Sequence, residues 1–131
     1  MPFVHIKIAG RKIGENDIRH LQEEATELMV TLMRKRAEAT AVLVEQAELS
    51  GWTVGGKPLA VAGHIDIKIT EGTNTAEEKQ RFVEAGHALL KSVLGPELSV
   101  ATYVVVHEIA PGSYGYGGLT QEQRKLAAAA A

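Results

Sequence analysis

Ile65, Ile67 and Ile69 alternate with His64, Asp66 and Lys68, a period of two that predicts a strand with one buried face. The segment His5-Ile6-Lys7-Ile8 has the same alternation near the start of the chain and predicts a second such strand. After each strand the spacing becomes helical, with Ile18, Leu21, Ala25, Leu28 and Leu32 in one case and Val83, His87, Leu90 and Leu94 in the other. Both stripes are expected to face a sheet, which makes His87 a core residue. Thr75 and Glu78 are spaced as a capping box ahead of the second helix, and Gly95-Pro96 stops it. Residues 39–44 and 100–106 are apolar at consecutive positions, as in strands buried on both faces or lying parallel to a neighbour.

These elements form two copies of one unit. An offset of 62 superposes Gly10 on Gly72, Glu15 on Glu77, Arg19 on Arg81, Leu28 on Leu90, Leu32 on Leu94, Thr40 on Thr102, Val44 on Val106 and Gly55-Gly56 on Gly117-Gly118. Upstream of the glycine, the two strands align with one residue inserted in the second copy. Each copy is βαβ, and right-handed crossovers put both helices on the same side. The predicted fold is therefore α+β, βαββαβ, with a four-stranded sheet and two helices on one face. It is a single domain over residues 1–126, with repeats at about 2–60 and 63–120. The alanine tail, 127–131, is low-complexity and is assigned no function. The opposite sheet face is left bare. With Phe3, Trp52, Tyr103, Tyr114 and Tyr116 among the few aromatics, it is expected to be an apolar face covered by another copy of the chain.

Composition narrows the chemistry. A chain of 131 residues, 45% hydrophobic, suits one domain with a moderate core. A net charge of -2 supplies no global field for nucleic acid or an anionic membrane, and neither is expected as a partner. No apolar run approaches the ~20 residues of a membrane span, and nothing resembles a signal peptide. The absence of cysteine excludes disulfides, thiolate zinc sites and a cysteine nucleophile, and suits the cytoplasm. Histidines 5, 20, 64, 87 and 107 show no metal-ligand spacing, so no metal is expected. The glycines of 112–118 follow a strand without the spacing of a phosphate-binding loop.

Removal of Met1 would leave Pro2 as a secondary amine at the start of a strand. With that proline, the chain resembles the tautomerase superfamily, whose members use an amino-terminal proline on a βαβ scaffold. The most specific stretch runs from Ile67-Lys68-Ile69-Thr70-Glu71-Gly72 to His107-Glu108-Ile109-Ala110-Pro111-Gly112-Ser113-Tyr114-Gly115-Tyr116-Gly117-Gly118, which is similar to a whole 4-oxalocrotonate tautomerase subunit. The half from Pro2 through Gly10-Arg11 to Trp52-Thr53-Val54-Gly55-Gly56 is similar to a diverged second copy. The resemblance thus extends to fused, two-module members, and implies a homotrimer and a cofactor-independent tautomerase acting on an enol or unsaturated keto acid. Pro2 would be the general base. A proton is taken from an enol hydroxyl or from carbon beside a carbonyl and returned elsewhere, while a cation or hydrogen-bond donor holds the oxyanion. Retained Met1 would make that nitrogen an amide.

The same resemblance nominates partners. Arg11 matches a family arginine that grips a substrate carboxylate, although in fused members it would face the second module's pseudo-site, where Gly63 or Ala62 replaces the proline. The arginine that serves the proline would come from the second module, which has Thr70 and Thr73 there. A strand arginine of the family corresponds to Ala41 and Tyr103. Tyr103 matches a pocket tyrosine of the migration-inhibitory-factor branch, and Arg36, beside Lys35, lies near a lysine of that branch. Trp52 and Tyr114 share one repeat position and match an aromatic pocket wall. A phenol and one cation suit a monocarboxylate better than a dicarboxylate. Two other readings are a superfamily dehalogenase or decarboxylase, and a non-catalytic ferredoxin-like binding module in which Pro2 is incidental.

Overall fold

The computed structural model describes residues 1–130. Strand β1 (Phe3–Ala9) leads into helix α1 (Glu15–Thr31), strand β2 (Ala41–Gln46) and a short hairpin of β3 (Thr53–Val54) and β4 (Lys57–Pro58). The second half repeats this order as β5 (Ala62–Thr70), α2 (Ala76–Leu94), β6 (Tyr103–Ile109) and a hairpin of β7 (Gly115–Tyr116) and β8 (Leu119–Thr120). Helix α3 (Gln121–Ala130) has no counterpart in the first half and includes alanines 127–130 of the tail. Ala131 lies outside the described residues.

The sheet order is β2-β1-β5-β6. β1 runs parallel to β2 and β5 parallel to β6, while β1 and β5 meet antiparallel at the centre. The registers bear out the repeat. Phe3 pairs with Ala41 and His64 with Tyr103, so the offset is 61 along the first strand and 62 along its partner. One residue is inserted between them, at the end of β5. Each half ends in the same tight hairpin, because Gly55-Gly56 and Gly117-Gly118 all have positive φ, between 60° and 86°, as a two-residue turn matched to strand twist requires.

Alternation on the two central strands builds the core. Val4, Ile6 and Ile8 of β1 and Ile65, Ile67 and Ile69 of β5 are fully buried under Leu21, Ala25 and Met29 of α1 and Phe82, Leu89, Leu90 and Leu94 of α2. Burying each such side chain contributes about 1.5–3 kcal/mol. The α2 stripe is rotated from the expected one. Phe82 and Gly86 face the sheet, whereas Val83 is exposed and His87 only half-buried. The reason is close approach: a Cβ on Gly86 would lie 3.2 Å from Val104 and 3.4 Å from Ile65, so the helix settles on its smallest residue.

Two further expectations are corrected. β2 and β6 are edge strands, parallel to a neighbour but half-exposed along much of their length rather than buried on both faces. The uncovered sheet face is not mainly apolar. The same alternation that buries the isoleucines puts His5, Lys7, His64, Asp66, Lys68 and His107 on it. Asp66 is central, with Lys68 Nζ at 3.2 Å, His64 Nε2 at 3.6 Å and His5 Nδ1 and His107 Nε2 each at 3.9 Å.

The glycines that end the two central strands predict unequal costs. Gly10 has φ +89°, and a Cβ there would lie 2.1 Å from the carbonyl oxygen of Ala60, whereas Gly72, at φ +76°, faces open space. Gly10→Ala is expected to lose about 3 kcal/mol or more in urea unfolding. Gly72→Ala is expected to lose about 1–2 kcal/mol, the cost of left-handed backbone alone. Equal losses would contradict the close packing of β1's end on residues 60–61.

Candidate active site

Because β1 lies between β2 and β5, its first residues emerge in the middle of the sheet's end rather than at an edge. Pro2 is buried there, its carbonyl accepting from the Ala41 amide at 3.0 Å. The β7–β8 hairpin folds back over this end and closes a cleft of about 510 Å³. Its walls are Met1, Pro2, Phe3, Ala41, Lys68, Tyr114, Gly115 and Tyr116, apolar except for the lysine and the two phenols. The Tyr114 hydroxyl is fixed by a hydrogen bond to the Thr70 hydroxyl.

Three cations stand around this end. Lys68 projects from β5 with its ammonium 5.7 Å from the Phe3 ring centre and 3.2 Å from Asp66. Lys35 donates to the Thr73 hydroxyl at 2.8 Å, and that hydroxyl donates to the Thr70 carbonyl at 2.6 Å. Arg124, on α3, stacks 3.8 Å from the Tyr116 ring centre and donates to the Tyr116 carbonyl at 2.8 Å. The Met1 amine is held below its ordinary pKa, first by burial and then by the charges of Lys35 and Arg124. Burial also lowers Lys35, with Arg34 adding to the effect.

A polar network holds the turn that carries Thr73. Arg34, at φ 57° just after α1, donates to Glu78 at 2.6 Å and 3.1 Å and to the Thr73 carbonyl at 2.8 Å. Asn74 donates to the Met33 carbonyl at 2.8 Å. Thr75 and Glu78 complete the expected capping box. The Arg34 bonds, with the amide of Thr75, hold the Glu78 carboxyl down at about 2.

Of the candidate residues, Pro2 and Tyr114 come together. Trp52, Tyr103 and Arg11 lie at the opposite end of the sheet: Tyr103 pairs with His64 and His64 with Lys7, about 13 Å along β1 from Phe3. Arg36 is exposed and ion-paired with Glu38 at 2.7 Å. Lys35, weighed beside Arg36 in the sequence, is the one of that pair that stands at this end, whereas Lys68 and Arg124 escaped sequence reasoning as site residues. Lys68 occupies the polar phase of an alternating strand, which reads as solvent-facing, and Arg124 sits on a helix with no periodic apolar signal.

The sequence profile described as Tautomerase enzyme matches residues 2–62 and again residues 64–125. Probable tautomerase K2 of Dickeya dadantii (strain 3937) is 30% identical over 57 residues, covering 44% of this chain and 85% of that protein. The fold is shared with Pt0534 inactivated by 2-oxo-3-pentynoate, at TM-score 0.82 and 15% identity over 93% of this chain and 98% of that one. It is shared also with a wild-type fused 4-OT described as a symmetric trimer, at TM-score 0.80 and 15% identity over 92% and 96%.

The Glu78 link to the site gives a pH prediction. A carboxyl whose pKa is depressed on folding stabilises the fold above its unfolded value of about 4.3 and loses that contribution as pH falls toward about 2. Glu78→Gln is therefore expected to lower Tm at neutral pH, with the difference from the parent closing between about pH 4.3 and pH 2. A constant difference in Tm across that range contradicts the pairing with Arg34.

Proposed function

The chain belongs to the tautomerase family, and on that premise we propose that it is a cofactor-independent isomerase of enol or unsaturated keto monocarboxylates with Pro2, freed by removal of Met1, as general base. The observation that carries this reading is a buried proline at the foot of an apolar cleft walled by one cation, Lys68, with Lys35 and Arg124 close enough to act on the Met1 amine. A secondary amine is too basic in water to be free at neutral pH. The Met1 amine, one residue away, is lowered by burial and by the charges of Lys35 and Arg124, and the same surroundings would disfavour a protonated Pro2 once it is the terminus.

In this mechanism the substrate carboxylate binds to Lys68 and Arg124, and its unsaturated chain lies against Tyr114 and Tyr116. The Pro2 nitrogen takes the proton of the enol hydroxyl, the developing oxyanion is held by Lys35 or the Tyr114 hydroxyl, and the same proton is delivered to carbon. No atom is gained or lost. Threonines at 70 and 73 replace direct arginine grip with indirect support, Thr70 fixing Tyr114 and Thr73 fixing Lys35. The reading includes a homotrimer. The fused relative described as a symmetric trimer supports it, as does a sheet face that no element covers among the described residues.

Kinetics on the enol of phenylpyruvate test the proposal. Pro2→Ala is expected to lower kcat/KM by at least about 10²-fold, the usual contribution of a positioned base. Arg124→Ala removes a positive neighbour, so the amine pKa rises and the acidic limb of the kcat/KM profile moves to higher pH, by up to about one unit. Unchanged turnover in Pro2→Ala overturns the proline-base reading and leaves the cleft a binding site.

A further inference from the structure

Arg34 has φ 57° and is the one non-glycine residue with positive φ among the described residues. It follows the end of α1, where the chain turns out of the helix and a glycine is the ordinary occupant; α2 leaves its own end through Gly95, at φ 90°. A larger residue stays in such backbone only where its surroundings hold it there. For Arg34 those surroundings belong to the second module. Its Nε and Nη2 donate to the two carboxylate oxygens of Glu78, and Nη2 donates also to the Thr73 carbonyl. Asn74 returns a bond to the carbonyl of Met33, the residue before Arg34. The turn after α1 and the turn between β5 and α2 are therefore tied to each other from both sides.

Two groups at the proline end hang on this tie. Lys35 donates to the Thr73 hydroxyl, which donates to the Thr70 carbonyl, and the Thr70 hydroxyl bonds that of Tyr114. The root of the lysine is fixed as well, because its backbone amide donates to the Met29 carbonyl at 2.9 Å. From there Lys35 stands close enough to act on the Met1 amine. The arrangement has no twin in the repeat. At the offset of 62, Arg34, Lys35 and Glu78 correspond to Pro96, Glu97 and Asn16, which supply neither the guanidinium, the ammonium nor the carboxylate.

We propose that Arg34 is a positioning residue whose clamp on Glu78 and the Thr73 carbonyl holds the Lys35 ammonium, through the Thr73 hydroxyl, at the proline end of the sheet. The second module thus aims a cation that the first module carries. Its service to the reaction rests on the reading of Pro2 as base, whereas the aim of Lys35 can be measured without that reading.

The measurement is the titration, by isotope-edited NMR, of the amine that begins the chain, Pro2 once Met1 is removed and Met1 otherwise. It needs no turnover, so its outcome is separate from that of Pro2→Ala. Arg34→Gly removes the guanidinium and suits the left-handed turn, and is expected to raise the amine pKa by about 0.3–1 unit with an unaltered circular dichroism spectrum. Thr73→Val removes a hydroxyl and no charge, and is expected to act in the same direction, while Thr73→Ser titrates as the parent does. Lys35→Met is expected to give a rise at least as large, after which Arg34→Gly adds nothing. An unchanged titration in either Arg34→Gly or Thr73→Val overturns the proposal, because Lys35 is then held without them. So does a rise with Arg34→Gly that persists in the Lys35→Met background, which would make it the effect of Arg34's own charge, or no rise in Lys35→Met itself.

Discussion

The antiparallel pairing of β1 with β5 is the constraint from which the rest follows. Two copies of a βαβ unit joined along their first strands make one continuous sheet, and the pseudo-dyad at that seam makes its two ends equivalent. The seam also carries the densest burial, since the six aliphatic residues at positions 4, 6, 8, 65, 67 and 69 lie on one side of it. Because the first strand of each unit is central, whatever begins that strand stands mid-sheet, sheltered on both sides. The returning hairpin of the opposite unit then closes a cleft over it.

The two ends of this scaffold differ in the groups they present. At one end the strand begins beside the chain terminus, so an amine can stand in a buried setting; at the other the chain runs straight through Gly63 and only an amide is available. Phe3 at one end faces the role of His64 at the other, and Tyr114 that of Trp52. Helix α3 deepens the difference. It belongs to one half only, and it delivers Arg124 against Tyr116 near the Met1 amine, where a positive charge disfavours protonation.

Much of the fold was legible because its signals are local. Ile65, Ile67 and Ile69 announce their strand by alternation, Thr75 and Glu78 announce a cap, and the paired glycines at 55–56 and 117–118 announce turns that need left-handed backbone. The rotation of α2 was not legible. Leu90 and Leu94 fit either stripe, and Gly86 carries no hydropathy signal although its missing side chain is what draws the helix onto Val104. The site was half legible. Pro2 and Tyr114 stand out by position and type, but Lys68 becomes a cleft residue only once β7 and β8 fold back over β1, and Lys35 is aimed by Thr73, 38 residues away in the chain. Those are tertiary facts, which periodicity does not encode.

The central claim is that Pro2 presents a free, desolvated amine of lowered pKa to an anion-binding cleft. The most direct measurement is the intact mass, with peptide mapping, of the native protein after exposure near neutral pH to 2-oxo-3-pentynoate, an acetylenic keto acid that alkylates unprotonated amines. The predicted result is loss of Met1 and a single adduct on Pro2, abolished when the protein is unfolded before exposure. Loss of Met1 with Pro2 unmodified and adducts scattered over the lysines would contradict the claim.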